Sequence, residues 1–124
     1  MKLLLDTHVF IWALAAPERL TAPQFSALED PTNRVYVSAI CITELAVKAS
    51  LGKLELDFDP ITAVEQSQFD LLSFSARDAI GLRDLPFHHR DPFDRMLISQ
   101  ALAQDLTLVT QDPMFSHYEC RILS

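Results

Sequence analysis

Glycine is scarce in this chain, because its 124 residues include only two. A dinucleotide-binding fingerprint and a P-loop each need several glycines within a short stretch, so neither kind of phosphate-binding loop is present. Cysteine is equally scarce. Cys41 and Cys120 are too few and too far apart for a disulfide framework or a zinc knuckle. We expect both thiols to be reduced and buried.

Basic side chains are also few. Ten Lys and Arg residues against 17 Asp and Glu residues give a formal net charge of −7, whereas most nucleic-acid-binding proteins contact phosphate through a basic face. The deficit does not exclude a nucleic-acid substrate. Cations bound by an acidic site would reverse the local field, and a basic partner could complement the chain.

Long apolar runs are missing, and none of those present could span a bilayer. The N-terminal stretch imitates a signal peptide but is interrupted by Asp6 and His8. We therefore expect a cytoplasmic protein without membrane association. Its length, its hydrophobic fraction of 49% and its charged fraction of 22% predict one well-packed domain over residues 1–124.

Strands and helices are predicted to alternate along the chain. Short apolar runs predict strands at 2–5, 35–37, 71–74, 106–109 and 121–123. Helical spacing, caps and breaks predict helices at 7–16, 21–28, 38–50, 59–69, 75–85 and 92–104. This alternation predicts an α/β fold in which helices cover both faces of a parallel sheet. In such sheets ligands bind at the carboxyl ends of the strands.

Four carboxylates stand at the edges of these elements. They are Asp6 in LLLDTHVFIW, Glu44 in VSAICITELAVKASLGKL, Asp94 in HHRDPFDRMLISQA and Asp112 in LTLVTQDPMF. Asp6 directly follows the first strand, and Asp112 lies just past the fourth. Together the four predict an oxygen-rich pocket for a hard divalent cation such as Mg²⁺.

Each acid also has a purely structural explanation. Asp6 and Asp112 could cap the helix or turn that follows them, and Glu44 could form a helix-surface pair with Lys48. Asp91 and Asp94 could be the N-cap and the third residue of one helix. We prefer the cap for Asp91, whereas Asp94 is far enough into the helix to turn toward the strand ends.

Histidine, arginine and aromatic residues add weaker signals. The four histidines lack zinc-site spacing, and adjacent His88 and His89 are not expected to face one ion. Arg90 and Arg95 flank the third acidic segment and are candidates for contacting phosphate, or for pairing with a nearby acid. Trp12 and most Phe residues are expected in the core.

The four acidic segments, in this order and spacing, resemble those of the PIN-domain family and, within it, the VapC toxins of type II toxin–antitoxin modules. The resemblance covers essentially the whole chain. It implies a three-layer α/β/α sandwich with a central, mainly parallel sheet. It also implies a Mg²⁺- or Mn²⁺-dependent endoribonuclease that acts on RNA and pairs with a small antitoxin protein, as a homodimer or a toxin–antitoxin hetero-oligomer.

The resemblance also assigns site residues. Asp6, Glu44, Asp94 and Asp112 become the catalytic, metal-binding tetrad, with Asp94 chosen over Asp91 because its spacing to the following apolar helix matches the family better. Ser38 and Thr110 match auxiliary positions that support metal-bound water. No member of the tetrad is missing.

Two other functions stay open on the sequence. The chain could be a catalytically silent interaction module with the same fold, or a metal-dependent nuclease or phosphatase that acts on DNA or another ester, since no motif reports the 2′-hydroxyl of RNA. Four acids packed without metal would repel one another. Some of them should then take up protons near neutral pH.

Overall fold

A computed structural model describes all residues, 1–124, and is built on one sheet of five parallel strands. The strands are β1 (Lys2–Leu5), β2 (Arg34–Ser38), β3 (Asp70–Leu72), β4 (Thr107–Val109) and β5 (Ile122–Leu123). Their order across the sheet is β3-β2-β1-β4-β5. All four pairings are parallel, which confirms the predicted sheet.

Strand β1 lies at the centre of the sheet, between β2 and β4. Leu3, Leu4 and Leu5 are completely buried, as a strand covered on both faces requires. The strand direction continues one residue further, because the backbone N–H of Asp6 donates to the carbonyl of Val109 at 3.1 Å. The first acidic residue is thereby anchored to the middle of the sheet.

Six helices flank the sheet and complete the predicted three-layer α/β/α sandwich. They are α1 (Thr7–Ala15), α2 (Ala22–Glu29), α3 (Ala39–Ser50), α4 (Pro60–Gln66), α5 (Ala76–Ile80) and α6 (Pro92–Gln104). The helix starts agree with the predicted caps, because the side chains of all six N-cap residues accept a backbone N–H of the first turn: Asp6, Thr21, Ser38, Asp59, Ser75 and Asp91.

Some element ends differ from the prediction. Helix α4 stops at Gln66 rather than near residue 69. Gln68 then adopts a left-handed conformation with φ 62°, and a right-handed helix cannot continue through such a residue. Helix α5 stops at Ile80, and a 3₁₀ turn over Gly81–Asp84 replaces its predicted second half. The third strand starts and ends earlier than predicted, at Asp70–Leu72.

The buried apolar side chains form one core of 22 residues. Cys41 and Cys120 are both buried and free, as predicted. Burial raises the pKa of Cys41 to about 12, so this thiol stays protonated at neutral pH. None of the helices combines the length and apolar character that crossing a membrane requires.

Candidate metal centre

The predicted site residues lie at the carboxyl edge of the three central strands. Asp6 follows β1, Ser38 ends β2, and Thr110 and Asp112 follow β4. The chain leaves β1 to build the sheet outward on both sides, so the β1–β4 boundary is a topological switch point. Crevices outside the carboxyl ends of strands at such points are where open α/β sheets bind ligands.

Asp6 is 4% exposed, yet both of its carboxylate oxygens have partners. Oδ1 accepts the backbone N–H of Val9 at 2.7 Å, which caps α1, and Oδ2 accepts the hydroxyl of Thr110 at 2.5 Å. Burial raises the pKa of Asp6, although these two hydrogen bonds oppose the rise and nearby Asp112 adds to it. The Asp6 side chain therefore caps α1 and also lies in the candidate site.

Thr110 joins two of the acids. Its hydroxyl donates to Asp6 and accepts the backbone N–H of Asp112 at 3.1 Å. Asp112 in turn caps the 3₁₀ turn Pro113–His117, since its Oδ1 accepts the N–H of Met114 at 2.9 Å. Its second oxygen, Oδ2, points into the site. The buried hydroxyl of Ser38 is used as the cap of α3, where it accepts the N–H of Ile40 at 3.0 Å.

Glu44 is buried, with 3% of its surface exposed, so a purely solvated helix pair is excluded. The pair with Lys48 does exist, at 2.6 Å between Nζ and Oε2. The other oxygen, Oε1, accepts the hydroxyl of Thr7 at 2.7 Å. The hydrogen bond to Glu44 raises the pKa of Lys48. This lysine is the counter-charge that the structure places directly on the tetrad.

Asp91 and Asp94 have the separate positions that their spacing suggested. Asp91 caps α6, with Oδ1 accepting the backbone N–H groups of Phe93 at 2.8 Å and Asp94 at 3.3 Å. The Asp94 side chain is instead largely buried against the other acids. Burial, and then the charge of Asp91, raise the pKa of Asp94 to about 7, with further contributions from Glu44 and Asp6. The charges of Glu44 and Asp6 therefore reach Asp94 from the neighbouring elements.

His89 is a site residue that the sequence reasoning missed. Its Nε2 lies 3.1 Å from Oδ2 of Asp94 and 3.0 Å from Oδ2 of Asp112. The three side chains offer ligand atoms that all lie within 4.8 Å of one another. No local pattern signals this, because His89 and Asp112 are 23 residues apart in the sequence.

The hydrogen bonding of His89 determines which ring nitrogen carries the proton. The backbone N–H of Asp91 donates to Nδ1 at 3.1 Å, so Nδ1 is an acceptor and a neutral ring carries its hydrogen on Nε2. Nε2 then donates to the carboxylates of Asp94 and Asp112. The imidazole N–H thus lies between two carboxylates, at the place from which a bound cation would screen their mutual repulsion.

Arg95 does not have the phosphate-contacting position that the sequence suggested. It is 6% exposed, and its guanidinium donates to the carbonyls of Pro86 at 2.8 Å and Leu85 at 3.2 Å. The guanidinium carbon also lies 3.8 Å from the ring centroid of Phe87. These contacts use the planar donors of Arg95 to hold the loop before α6, so a phosphate-contacting role for Arg95 is wrong. Arg90 is exposed.

The PIN-domain model matches residues 3–119 of the chain, which includes all four acidic segments. The chain belongs to the PIN-domain family. One relative of this PIN domain is ribonuclease VapC22 of Mycobacterium tuberculosis, which is 27% identical over 112 residues that cover 88% of this chain and 85% of the relative.

Solved structures of toxin–antitoxin complexes have the same fold as this PIN domain. VapBC2 from Rickettsia felis bound to a promoter DNA fragment superimposes with a TM-score of 0.76 at 19% identity, covering 99% of this chain and 98% of that chain. VapBC-1 from nontypeable Haemophilus influenzae gives a TM-score of 0.69 at 18% identity, covering 100% and 98% of the two chains.

The donor set of the PIN domain fits a hard divalent cation. Asp6, Glu44, Asp94 and Asp112 would supply carboxylate oxygens, the ligands that Mg²⁺ and Mn²⁺ prefer. The buried Cys41 thiol is close enough to Asp6 and Glu44 to feel their charges, but burial raises its pKa to about 12, so it stays protonated. Four acids share one lysine as direct counter-charge. Burial, and then the surrounding negative charge, raise the pKa of Asp94, and a divalent cation would neutralise that charge.

Proposed function

We propose that this protein is a Mg²⁺- or Mn²⁺-dependent endoribonuclease that hydrolyses RNA phosphodiester bonds. The observation that carries the proposal is the grouping of Asp94 and Asp112 with His89 at the switch point of the sheet, where burial and then the charges of Asp91, Glu44 and Asp6 raise the pKa of Asp94 to about 7. Structural acids far from a ligand site rarely tolerate such repulsion, and strongly perturbed groups cluster at functional sites.

Asp6, Glu44, Asp94 and Asp112 would hold the metal. When bound, a divalent cation lowers the pKa of a coordinated water and neutralises charge on the phosphoryl oxygens. The protein residues contribute orientation. The Thr110 hydroxyl fixes one oxygen of Asp6 and the backbone of Asp112, and Thr7 fixes one oxygen of Glu44. Outer hydrogen bonds of this kind orient ligands before metal arrives.

We also propose that the protein is the toxin of a toxin–antitoxin module that acts in the cytoplasm. Its relative in Mycobacterium tuberculosis is named a ribonuclease, and proteins of the same fold were solved as VapBC complexes. A net charge of −7 would favour a small antitoxin that presents a basic segment. The assembly would be a homodimer or a hetero-oligomer with that antitoxin.

The proposal is tested by incubating purified protein with end-labelled RNA in Mg²⁺, Mn²⁺ or excess EDTA. We expect cleavage with either metal and none in EDTA. Asp6→Asn should remove most of the activity, because a neutral amide is a poor Mg²⁺ ligand. The matched control is Asp105→Asn, since Asp105 is an exposed aspartate in the left-handed conformation that Asn also tolerates.

Other outcomes separate the alternative functions. DNA of the same sequence, cleaved faster than the RNA, would favour a DNA nuclease. An interaction module would cleave neither polymer and would show no Mn²⁺ affinity that depends on Asp6. Cleavage that continues at full rate in excess EDTA would overturn the metal mechanism.

A further inference from the structure

A cleft lined by polar side chains and one tryptophan opens beside the acidic tetrad. It is lined by Asp6, His8, Trp12, Arg19, Gln111, Asp112 and Pro113 and has a volume of about 540 Å³. This size lies within the range of roughly 300 to 1,000 Å³ typical of small-molecule sites. Two members of the tetrad, Asp6 and Asp112, form its inner wall. A ligand in the cleft would therefore be adjacent to the candidate metal centre.

The outer part of the cleft combines an aromatic ring with a cation. The guanidinium carbon of Arg19 lies 4.7 Å from the ring centroid of Trp12, and the ring of His8 is 5.9 Å from the same centroid. Trp12 is half-buried rather than in the core, while Arg19 and His8 are exposed. Arg19 forms no ion pair with an acid. Its positive charge is therefore available to an incoming anion.

Hydrogen bonds hold this part of the cleft in place relative to the acids. The side-chain amide of Gln111 donates to the carbonyl of Arg19 at 2.8 Å and to Oε1 of Gln24 at 2.9 Å. Gln24 is completely buried and donates to the carbonyl of Thr110 at 3.2 Å. The segment that carries Arg19 is thus tied to the residues between β4 and Asp112.

We propose that the cleft is a nucleotide subsite, in which Arg19 contacts a phosphate and Trp12 stacks on the base of the nucleotide next to the scissile bond. This proposal rests on the proposed endoribonuclease function and specifies how the candidate metal centre would bind its RNA substrate. Aromatic rings and guanidinium groups are the side chains that bind single-stranded nucleic acid without reading its sequence. A local cation beside the acids also explains how so acidic a chain holds a polyanion.

Trp12 is the only tryptophan of the chain, so its fluorescence reports the subsite directly. The first probe is adenosine 5′-monophosphate, which has no phosphodiester bond to hydrolyse, titrated into the protein with Mg²⁺ present. We expect saturable quenching. Arg19→Gln should weaken the affinity for this nucleotide about tenfold, as loss of a charged hydrogen bond does, while leaving the weaker affinity for adenosine unchanged.

Arg34→Gln is the matched control. Arg34 is also an exposed arginine over an aromatic ring, 5.6 Å from the centroid of Tyr36, but it lies at the amino-terminal end of β2. Its substitution should not alter quenching. Equal loss of affinity in the Arg19 and Arg34 variants would reflect general charge screening and would overturn the subsite.

Cleavage kinetics provide the second measurement. Arg19→Gln should raise the KM for a short RNA about tenfold, with a smaller change in kcat and with unchanged Mn²⁺ affinity. Trp12→Leu should raise KM similarly, and Trp12→Phe, which keeps a ring and preserves packing, should recover most of the loss. If all three variants keep the KM of the unsubstituted protein, the subsite is overturned.

The two proposals fail in different ways. RNA that is uncleaved in every metal would refute the endoribonuclease, while the fluorescence titration with adenosine 5′-monophosphate still decides the subsite. Metal-dependent RNA cleavage without any quenching of Trp12 would refute the subsite and leave the endoribonuclease standing. Variants that keep their KM but lose affinity for the antitoxin would reassign the cleft to a protein partner and overturn the nucleotide proposal.

Discussion

Asp91 is the N-cap of α6 and Asp94 lies in its first turn, and the two side chains contact different neighbours. Asp91 accepts two backbone N–H groups, and Asp94 is buried among the acids. Asp91→Asn should retain substantial activity, because Asn caps helices about as well as Asp. Asp94→Asn should lower both Mn²⁺ affinity and RNA cleavage by about 100-fold. Calorimetric Mn²⁺ titration and cleavage rates of both variants test this. An inactive Asp91→Asn would show that Asp91, rather than Asp94, binds the metal.

The raised pKa of Asp94 makes a prediction about the metal-free protein. Between the ordinary pKa of 3.8 and about 7, folded Asp94 keeps a proton that the unfolded chain has released. Stability should therefore fall as the pH rises through this window, by about 3 kcal/mol between pH 5 and pH 8. The raised pKa of Asp6 contributes in the same direction.

Urea unfolding in EDTA at a series of pH values measures this fall. Asp94→Asn should flatten the curve, since the variant has no proton to release at that position. Saturating Mg²⁺ should also reduce the fall, because a cation compensates the buried charge. Metal-free stability that rises from pH 5 to pH 8 would contradict the burial of Asp94 among acids.

His89 is expected to compete with metal. Its Nε2–H lies between Asp94 and Asp112, so His89→Ala should raise Mn²⁺ affinity at pH 8 about fivefold and lower the stability of the metal-free protein. His88→Ala is the control, because the His88 ring packs against His117 and Tyr118 instead. Reduced Mn²⁺ affinity in His89→Ala would instead make His89 a metal ligand.

At the scale of elements, Gly81 determines how closely the turn after α5 approaches α6. A Cβ at this position would lie 2.6 Å from the hydroxyl of Ser99, which donates to the carbonyl of Asp78 at 2.5 Å. Gly81→Ala should therefore destabilise the fold by about 1 to 3 kcal/mol. The double variant Gly81→Ala/Ser99→Ala removes the obstructing atom, so its loss should be smaller than the sum of the single losses. Urea unfolding of the three variants measures the coupling, and strict additivity would contradict the contact.

Asp78 shows why element ends were harder to predict than element starts. Burial alone would raise the pKa of Asp78, but hydrogen bonds from Ser75, Gln104 and Gln100 hold it below the usual value. The Ser75 cap lies three residues away and is visible in the sequence. The bonds from α6 come from more than 20 residues away, and they determine how α5 packs. The contacts that accompany its end at Ile80 are therefore long-range ones.

For the whole molecule, the toxin assignment predicts a growth phenotype. Production of this chain alone should arrest growth of a bacterial host, and co-production of a small partner encoded beside it should relieve the arrest. Asp94→Asn produced at the same level is the control and should be harmless. Normal growth despite soluble, active enzyme would contradict the toxin assignment while leaving the nuclease assignment standing.

The sequence by itself determined the fold class and the positions of the acids along the chain. Apolar runs set β1 and β4, and Asp6, Ser38 and Asp91 begin helices at the predicted residues. These features depend on neighbours a few residues away, through backbone hydrogen bonding and the burial of short apolar segments. The same local patterns placed Asp6 and Asp112 at the carboxyl edge of the sheet.

Only the tertiary structure decided what surrounds those acids. Thr110 bonds Asp6 across 104 residues of sequence, and His89 reaches Asp112 from a loop before α6. Arg95 turns inward, where its guanidinium donates to the carbonyls of Pro86 and Leu85. Such contacts depend on which distant segments pack together, and a linear pattern of residue types carries no record of that packing.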